Sequence, residues 1–292
     1  MYVVAGVTGH TGGAVAEALL AQGEKVRVIV RDADRGEPWR RRGAEVAIAR
    51  LGDAGEVAKA LAGAKGAYLL VPPRYDAEDP FAANRPLINA LAEAVRKSGV
   101  PHVVLLSSFG AELADGTGPI KGLHYAERTL GAATKNITFL RAGYFFENFA
   151  AVLPATQGGV LPTFLTPDRR IPMVATADIG RVAAELLFEP AAGTRVVELS
   201  AIRDWSPNDV AEELSIILGR AISVQPGPLE GVVPAFTGMG MPRGVAELFR
   251  EMFAALNNGT IRRQGRPALR RLGQLGAGDV MKGLLERTTT PA

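Results

Sequence analysis

Three glycines at intervals of three residues, Gly6, Gly9 and Gly12, stand between an apolar run at residues 2–5 and a helical pattern at residues 11–22. A tight turn after a strand needs a residue that tolerates a positive φ, and phosphate groups need bare backbone N–H groups. The N-terminus of the next helix adds a dipole that favours negative charge. This order of strand, glycines and helix predicts a dinucleotide pyrophosphate site, the alternative being an ordinary glycine-rich turn.

The end of the second strand-like run carries Arg31, followed by Asp32. An acidic residue at such a strand tip hydrogen-bonds the ribose hydroxyls of NAD, whereas an arginine holds the 2′-phosphate of NADP and stacks on adenine. Because Arg31 occupies the tip, the sequence favours NADP(H). NAD(H) is the alternative cofactor if Asp32 turns inward and Arg31 only covers the sheet edge.

Alternating strand and helix patterns surround these residues. Strand-like runs occur at residues 2–5, 25–30, 45–48, 66–71, 102–107 and 138–141, and helical patterns at 11–22, 53–63, 81–99 and 121–133. This alternation predicts an α/β fold with a doubly wound parallel sheet, whose ligand lies at the carboxyl ends of the strands. We expect residues 1–150 to form this Rossmann-type core.

Residues 151–292 have a less regular pattern and are expected to add late sheet elements and a smaller C-terminal α/β substrate lobe. A helix near residue 177, a strand at 195–199, a helix from Pro207 with Ser206 as its cap, a strand at 222–225 and a helix at 245–256 are predicted. Six apolar residues of this region line either a substrate pocket or an ordinary core: Phe236, Met239, Met241, Phe249, Met252 and Phe253.

Composition limits the remaining possibilities. The 292 residues are 47% hydrophobic, contain no run long enough to cross a bilayer and carry a net charge of +3. No cysteine is present, which excludes disulfides and thiolate chemistry, and the three scattered histidines predict no metal site. Met1 leads directly into the first strand without a signal segment, so we expect a cytoplasmic protein.

The basic excess is concentrated near the end of the chain, in Arg262, Arg263, Arg266, Arg270 and Arg271. Such a cluster either contacts nucleic acid or forms a solvated helix face beside a phosphate-bearing cofactor. No aromatic residues interleave with these arginines, so nucleic-acid binding is the less favoured interpretation.

Further segments carry a family resemblance. They are residues 107–108 (SS), 118–127 (GPIKGLHYAE), 140–148 (LRAGYFFEN), 176–180 (TADIG) and 240–242 (GMP). With the glycine turn, they make the chain resemble the NmrA-like branch of the atypical short-chain dehydrogenase/reductase superfamily over nearly its whole length. The resemblance implies a Rossmann domain with a small C-terminal lobe and NADP(H) in the cleft. Some relatives reduce quinones, dyes or other conjugated acceptors, and others are redox-sensing regulators.

The resemblance also assigns roles to individual residues. It implies that Gly6, Thr8, Gly9, His10, Thr11 and Gly12 hold the pyrophosphate and that Arg31 meets the 2′-phosphate. It places Val71, Pro72 and Pro73 beside the cofactor, and Ser107 and Ser108 at the end of the fifth strand. Tyr144, Phe145 and Phe146 are expected to face the nicotinamide, the alternative being that they fill the seam between the two lobes.

Two positions depart from the family pattern. Arg50 stands near the position where many relatives have an aspartate that reaches adenine, and it either meets phosphate, stacks on the base or is merely exposed. The Tyr-x-x-x-Lys pair is absent, since Thr129 follows Tyr125 and Asn148 follows Tyr144 at that spacing. His124, with a reference pKa of about 6.5, is the alternative proton donor, unless it is a helix histidine satisfied by backbone.

These observations support two hypotheses about function. The first is an NADPH-dependent reductase of a quinone, enone or cationic dye, which needs no strong acid, bound between residues 144–148 and the apolar lobe. His124 and Tyr144 are its candidate catalytic residues. The second is a catalytically silent NADP(H) sensor that binds a regulatory protein. A homodimer is left open, and no membrane contact is expected.

Overall fold

The structure is a computed structural model that describes residues 1–265 and 268–289. Its strands are β1 (Tyr2–Ala5), β2 (Val26–Val30), β3 (Glu45–Ile48), β4 (Gly66–Leu69), β5 (Val103–Ser108), β6 (Ile137–Ala142), β7 (Tyr144–Phe145), β8 (Val160–Thr163), β9 (Met173–Val174), β10 (Thr194–Ser200), β11 (Ser223–Pro226) and β12 (Leu269–Leu272). Its α-helices are α1 (His10–Ala21), α2 (Ala33–Arg41), α3 (Ala54–Leu61), α4 (Pro80–Ser98), α5 (Lys121–Gly131), α6 (Thr176–Phe188), α7 (Pro207–Leu218), α8 (Val232–Gly238), α9 (Arg243–Asn258) and α10 (Ala277–Thr289). Three 3₁₀ segments cover Gly118–Ile120, Phe146–Gly158 and Leu229–Gly231.

Eight strands form one parallel sheet in the order β12-β10-β6-β5-β4-β1-β2-β3. The chain runs outward from β1 to β3 in one direction and from β4 onward in the other, so the strand order reverses between β1 and β4. In doubly wound sheets, ligands bind outside the carboxyl ends of the strands at this reversal. The predicted α/β fold with a doubly wound parallel sheet is confirmed.

Both faces of the sheet are covered because its strands are apolar on both sides. Val3 packs with α3, α4 and α5 in one core, whereas its neighbour Val4 packs with α1 and α6 in the other. Helices α1 and α6 approach closely, since a Cβ on Gly180 would lie 2.4 Å from the Ala14 methyl group. This packing fixes the start of α1 at the reversal point.

Most predicted elements are confirmed within two or three residues, including the Ser206 cap of α7 with its reciprocal Asp209 contact. Helix α2 was not predicted, because its sequence lacks an apolar stripe and contains Pro38. The structure also adds α8, α10, β12 and the long 3₁₀ segment at Phe146–Gly158.

A second core lies beside the sheet. It joins the 3₁₀ segment, β8, β11 and helices α7, α9 and α10, with Phe146, Trp205 and Phe253 among its buried side chains. Strands β8 and β11 form a separate parallel pair. The elements after residue 150 therefore contribute both to the main sheet, through β10 and β12, and to this second core.

Of the arginines near the end of the chain that the sequence interpretation placed on a solvated helix face beside the cofactor, the described ones, Arg262, Arg263, Arg270 and Arg271, do not lie on a helix. Arg263 pairs with Asp204, and Arg271 donates to Glu189 at 2.8 Å. Arg270 lies in β12, at the sheet edge opposite β3, and Arg266 lies outside the described residues.

None of the helices in residues 1–265 and 268–289 is both long and apolar enough to span a membrane. The same residues contain no cluster of potential metal ligands.

Candidate functional site

The glycine turn between β1 and α1 has the geometry that its residue types predict. Gly6 has a φ of +71°, and the Gly9 N–H donates to the Gly6 carbonyl at 3.0 Å. A Cβ on Gly12 would lie only 2.4 Å from the Gly6 carbonyl oxygen and 2.5 Å from that of Ala5. Position 6 therefore needs a residue that tolerates a positive φ, and a side chain at position 12 is incompatible with the close approach of helix and strand.

The N-terminus of α1 is suited to bind an anion. Gly9 is its N-cap, no side chain caps it, and its first turn contains no acidic residue. Thr8, Gly9 and His10 are exposed, so solvent reaches this turn, whereas Thr11 and Gly12 are buried. Uncapped helix N–H groups together with the helix dipole fit a pyrophosphate.

Two arginines follow neighbouring strands at this edge of the sheet. Val30 at the end of β2 lies opposite Ile48 at the end of β3, so Arg31 and Arg50 both follow at the carboxyl end of the sheet. Both are exposed, and within the described ranges neither guanidinium has a hydrogen bond or an ion pair. The Arg50 backbone N–H donates to Glu56 at 2.9 Å.

Asp32, which would bind the ribose hydroxyls of NAD if it turned inward, contacts the start of α2 instead. It is the N-cap of α2, where its carboxylate accepts from the Arg35 backbone at 3.0 Å and pairs with the Arg35 guanidinium at 3.0 Å. A capping role holds this carboxylate on the helix rather than on a ribose.

A cavity of about 1080 Å³ begins beside the glycine turn, at Thr11, and extends into the second core. Of the residues that sequence analysis assigned to the cofactor or to catalysis, it is lined by Thr11, Val71, Pro72, Pro73, Ser107, Ser108, Tyr144 and Phe145. All six apolar lobe residues line it as well, namely Phe236, Met239, Met241, Phe249, Met252 and Phe253. The structure thus brings the carboxyl ends of β4, β5 and β6 and the lobe together around one chamber.

Asn84 supports the proline turn at the chamber wall. Its side chain is buried on α4 and donates from Nδ2 to the Pro72 carbonyl at 3.1 Å. This contact fixes the turn that follows β4, so Val71, Pro72 and Pro73 form a rigid apolar wall.

Tyr144 and Phe145 lie on the chamber wall, but Phe146 does not. The Phe146 ring is fully buried in the second core and packs edge-to-face on Trp205, with 5.6 Å between ring centroids. The expectation that Phe146 faces the nicotinamide is wrong, because the chain enters the 3₁₀ segment there and turns this side chain away. Burial raises the pKa of Tyr144 to about 12, and a contact with the Asn148 side chain only partly opposes the rise.

His124 lies on α5 but outside the chamber lining. Its Nδ1 is 2.9 Å from the Ala111 carbonyl, which can only accept, so Nδ1 carries the proton. This is the alternative interpretation, a helix histidine satisfied by backbone. Lys121, Gly122 and Leu123, the three residues immediately before it on the same helix, do line the chamber.

Residues 2–270 match the NmrA-like family. The chain belongs to this family. An NAD(P)H azoreductase from Xenophilus azovorans is 25% identical over 256 residues, which cover 87% of this chain and 86% of the relative. Quinone oxidoreductase 2 from Escherichia coli K12 is 25% identical over 265 residues, which cover 89% of each chain.

Two solved structures share the fold. The E. coli NADPH-dependent quinone oxidoreductase, crystallised with NADPH, has a TM-score of 0.82 at 22% identity and covers 98% of this NmrA-like chain and 100% of its own. The Citrobacter triphenylmethane reductase has a TM-score of 0.81 at 21% identity, over 98% of this chain and 99% of its own.

Sequence reasoning missed a buried polar network beneath Ser107 in this NmrA-like protein. Arg141 forms a bidentate pair with Glu127, at 2.8 and 2.6 Å, and also contacts Glu112 at 3.0 Å. The Ser107 hydroxyl donates to Glu127 at 2.6 Å. Burial by itself would lower the pKa of Arg141, but the hydrogen bonds and charge of Glu127 outweigh this effect, so the pKa of Arg141 is raised. An arginine in an apolar strand such as residues 137–142 was the available signal for a buried ion pair.

Proposed function

We propose that this protein is an NADPH-dependent reductase of flat, conjugated acceptors such as quinones or azo compounds. The observation that carries the proposal is the continuity between the uncapped glycine turn and an apolar, aromatic chamber. The names of the two curated relatives, an NAD(P)H azoreductase and a quinone oxidoreductase, support the same chemistry.

NADP(H) is the proposed cofactor. The N–H groups at the start of α1 would hold its pyrophosphate, along the turn formed by Gly6, Thr8, Gly9, His10, Thr11 and Gly12. Arg31 and Arg50 would meet the 2′-phosphate, since both are exposed, follow neighbouring strands at the same end of the sheet and have no partner among the described residues. The binding of NADPH by the E. coli oxidoreductase of the same fold supports this assignment.

The chamber would position the acceptor and exclude water. When bound, NADPH supplies a hydride. The proline turn and Phe145 would hold the two reacting groups together, and the Tyr144 hydroxyl would donate a hydrogen bond to the acceptor oxygen or nitrogen that gains charge. A proton from solvent completes the reduction, so a quinone becomes a hydroquinone.

The strength of the available acid selects the acceptor. Tyr144, with a pKa of about 12, is a weak proton donor, and no lysine follows it at the spacing that would lower that pKa. Simple ketones need a potent donor in the transition state, whereas quinones and azo groups accept a hydride without one. The site therefore favours electrophilic, conjugated acceptors.

We further propose that residues 1–150 chiefly bind the cofactor and residues 151–292 chiefly form the substrate chamber. Most of the apolar wall comes from the later residues, and the glycine turn and both arginines come from the earlier ones.

Steady-state turnover tests the proposal. We expect the purified protein to oxidise NADPH with a neutral naphthoquinone and with a neutral azo dye, one NADPH consumed for each quinone reduced, and not with a simple aliphatic ketone. Tight NADPH binding with no turnover on any conjugated acceptor would contradict the reductase and favour the NADP(H) sensor, whose partner remains a prediction.

A further inference from the structure

The charged side chains on the chamber wall are all basic. Among the described residues that line it, only Arg74 and Lys121 carry charge, and neither aspartate nor glutamate is present on the wall. Arg74 is already neutralised by Asp76, with Nε and Nη2 at 3.0 and 3.3 Å from the two carboxylate oxygens. Lys121 is therefore the side chain whose charge is available to a ligand.

The fold holds Lys121 at the start of α5, directly after the 3₁₀ turn Gly118–Ile120. Its Nζ lies 6.0 Å from the centroid of the Phe81 ring, which also lines the chamber. The guanidinium of Arg85 lies 5.7 Å from the centroid of the same ring. Two cationic side chains thus lie within about 6 Å of the same ring at this end of the chamber, and within the described ranges neither has a carboxylate partner.

The two carboxylates that closely precede Phe81 in the chain do not line the chamber. Asp79 is the N-cap of α4, where it accepts from the backbone N–H groups of Phe81 and Ala82 at 3.0 Å. The Glu78 backbone packs against Gly244 at the start of α9, and within the described residues its carboxylate forms no ion pair with Lys121 or Arg85. The charge that faces the Phe81 end of the chamber is therefore positive.

We propose that the acceptor carries an anionic substituent, a carboxylate or a sulfonate, which pairs with Lys121 while its conjugated rings occupy the aromatic chamber. This inference rests on the proposed reductase function and specifies its substrate class. An anion placed over the Phe81 end gains a charge-assisted hydrogen bond in a partly water-excluded site, where a cation would meet Lys121 and Arg85 without a counter-ion. The wall charge thus argues against cationic dyes as acceptors.

Three phenylazo-naphthol dyes test the proposal, because they share one conjugated system and differ in a single para substituent. One is unsubstituted, one carries a sulfonate and one carries a trimethylammonium group. The measured quantity is the kcat/KM of the sulfonate divided by that of the neutral dye, in the wild type and in each variant. Dividing this ratio in a variant by the ratio in the wild type cancels the intrinsic difference in reactivity between the dyes.

We expect Lys121→Gln to lower this ratio by roughly fivefold, the upper range for a partly exposed ion pair, and Lys121→Arg to preserve it. The decrease in the ratio should come from the KM of the sulfonate dye and shrink as ionic strength rises, and the neutral dye corrects for any general effect of the substitution on the chamber. Lys97→Gln is the matched control, since Lys97 lies on α4, away from the chamber lining, and pairs with Glu93. The trimethylammonium dye should be the poorest of the three.

The outcomes separate the two proposals. Turnover of the neutral dye with a ratio unchanged by Lys121→Gln overturns the anionic substituent and leaves the reductase standing. Absence of turnover with every dye overturns the reductase, and equilibrium dialysis of the sulfonate and neutral dyes against the NADP⁺-loaded protein then tests Lys121 directly. Equal binding of both dyes to the wild type and to Lys121→Gln would contradict the role of Lys121.

Discussion

Substitution of Arg31 should weaken the binding of NADPH but not that of NADH. Its guanidinium is exposed at the end of β2 and has no partner among the described residues, whereas Asp32 beside it caps α2. A 2′-phosphate bound there gains charge-assisted contacts that NADH cannot make. We therefore propose that discrimination between NADPH and NADH depends on this position and on Arg50.

We expect Arg31→Ala to raise the Kd of NADPH by roughly tenfold or more, since a hydrogen bond to a charged group contributes about 1.5–3 kcal/mol. The Kd of NADH should change little. Fluorescence titration of the reduced nicotinamide measures both constants. Arg40→Ala is the control, because Arg40 is an exposed arginine of α2 that pairs with Glu37. An equal loss of affinity for both dinucleotides would contradict a 2′-phosphate contact.

Tyr144 and His124 should respond differently to substitution. Tyr144→Phe keeps the aromatic wall and removes only the hydroxyl, so kcat with a quinone should fall by about tenfold or more, as for a lost donor to a developing anion. His124→Ala should leave kcat within about twofold, because its ring bonds to the Ala111 carbonyl outside the chamber. The reverse pattern in steady-state kinetics would restore His124 as the proton donor.

At the scale of elements, the packing of β1 against α1 requires glycine at position 12. A Cβ there would lie 2.4 Å from the Gly6 carbonyl oxygen, so Gly12→Ala must shift the helix start that is proposed to bind phosphate. We expect a loss of stability of about 1–3 kcal/mol, as for other overpacked sites, and little further stabilisation by NADPH.

Thermal unfolding with and without NADPH measures both effects. Gly52→Ala is the matched control, because a Cβ on Gly52, which also lies just after a strand of this sheet, would meet nothing within 4 Å. Gly12→Ala with the same NADPH-induced increase in Tm as the wild type would show that the glycine turn does not hold the cofactor.

A buried histidine links the beginning of β5 to α6. The Nε2 of His102 is 3.2 Å from the Leu186 carbonyl, and the Ala191 backbone N–H lies 3.4 Å from Nδ1. Burial, aided by Arg195, lowers the pKa of His102 below its ordinary value of 6.5. At pH values just below 6.5 the unfolded chain binds more protons than the folded chain. The stability that neutral His102 contributes is therefore fully present above about pH 6.5 and is lost as the pH decreases.

We therefore expect the Tm of the wild type to decrease between pH 7 and pH 5.5 by more than that of His102→Gln, which does not titrate. Differential scanning fluorimetry across that interval measures the difference. Parallel pH dependence in the two proteins would show that His102 does not contribute.

In the whole molecule, local patterns in the sequence were sufficient for seven of the eight strands of the main sheet, all but β12, and for the glycine turn. Buried strands such as Tyr2–Ala5 are continuous apolar runs, and the glycine spacing is tied to the backbone geometry between β1 and α1. Helix α2 was missed because its cap and ion pairs, rather than an apolar stripe, hold a segment that contains Pro38.

The chamber was only partly predictable, since it depends on long-range packing. Nothing in the local sequence shows that Phe146 turns into the second core while Tyr144, two residues earlier, faces the chamber. The same holds for Lys121, which lies on the wall because the 3₁₀ turn before α5 places the first turn of that helix beside Phe81.

Calorimetric titration of the wild-type protein with NADPH and with NADH measures whether the glycine turn and Arg31 together bind NADPH. We expect one NADPH bound per chain, with a Kd at least roughly tenfold below that of NADH. Failure of both dinucleotides to bind at millimolar concentration, or tighter binding of NADH, would contradict it.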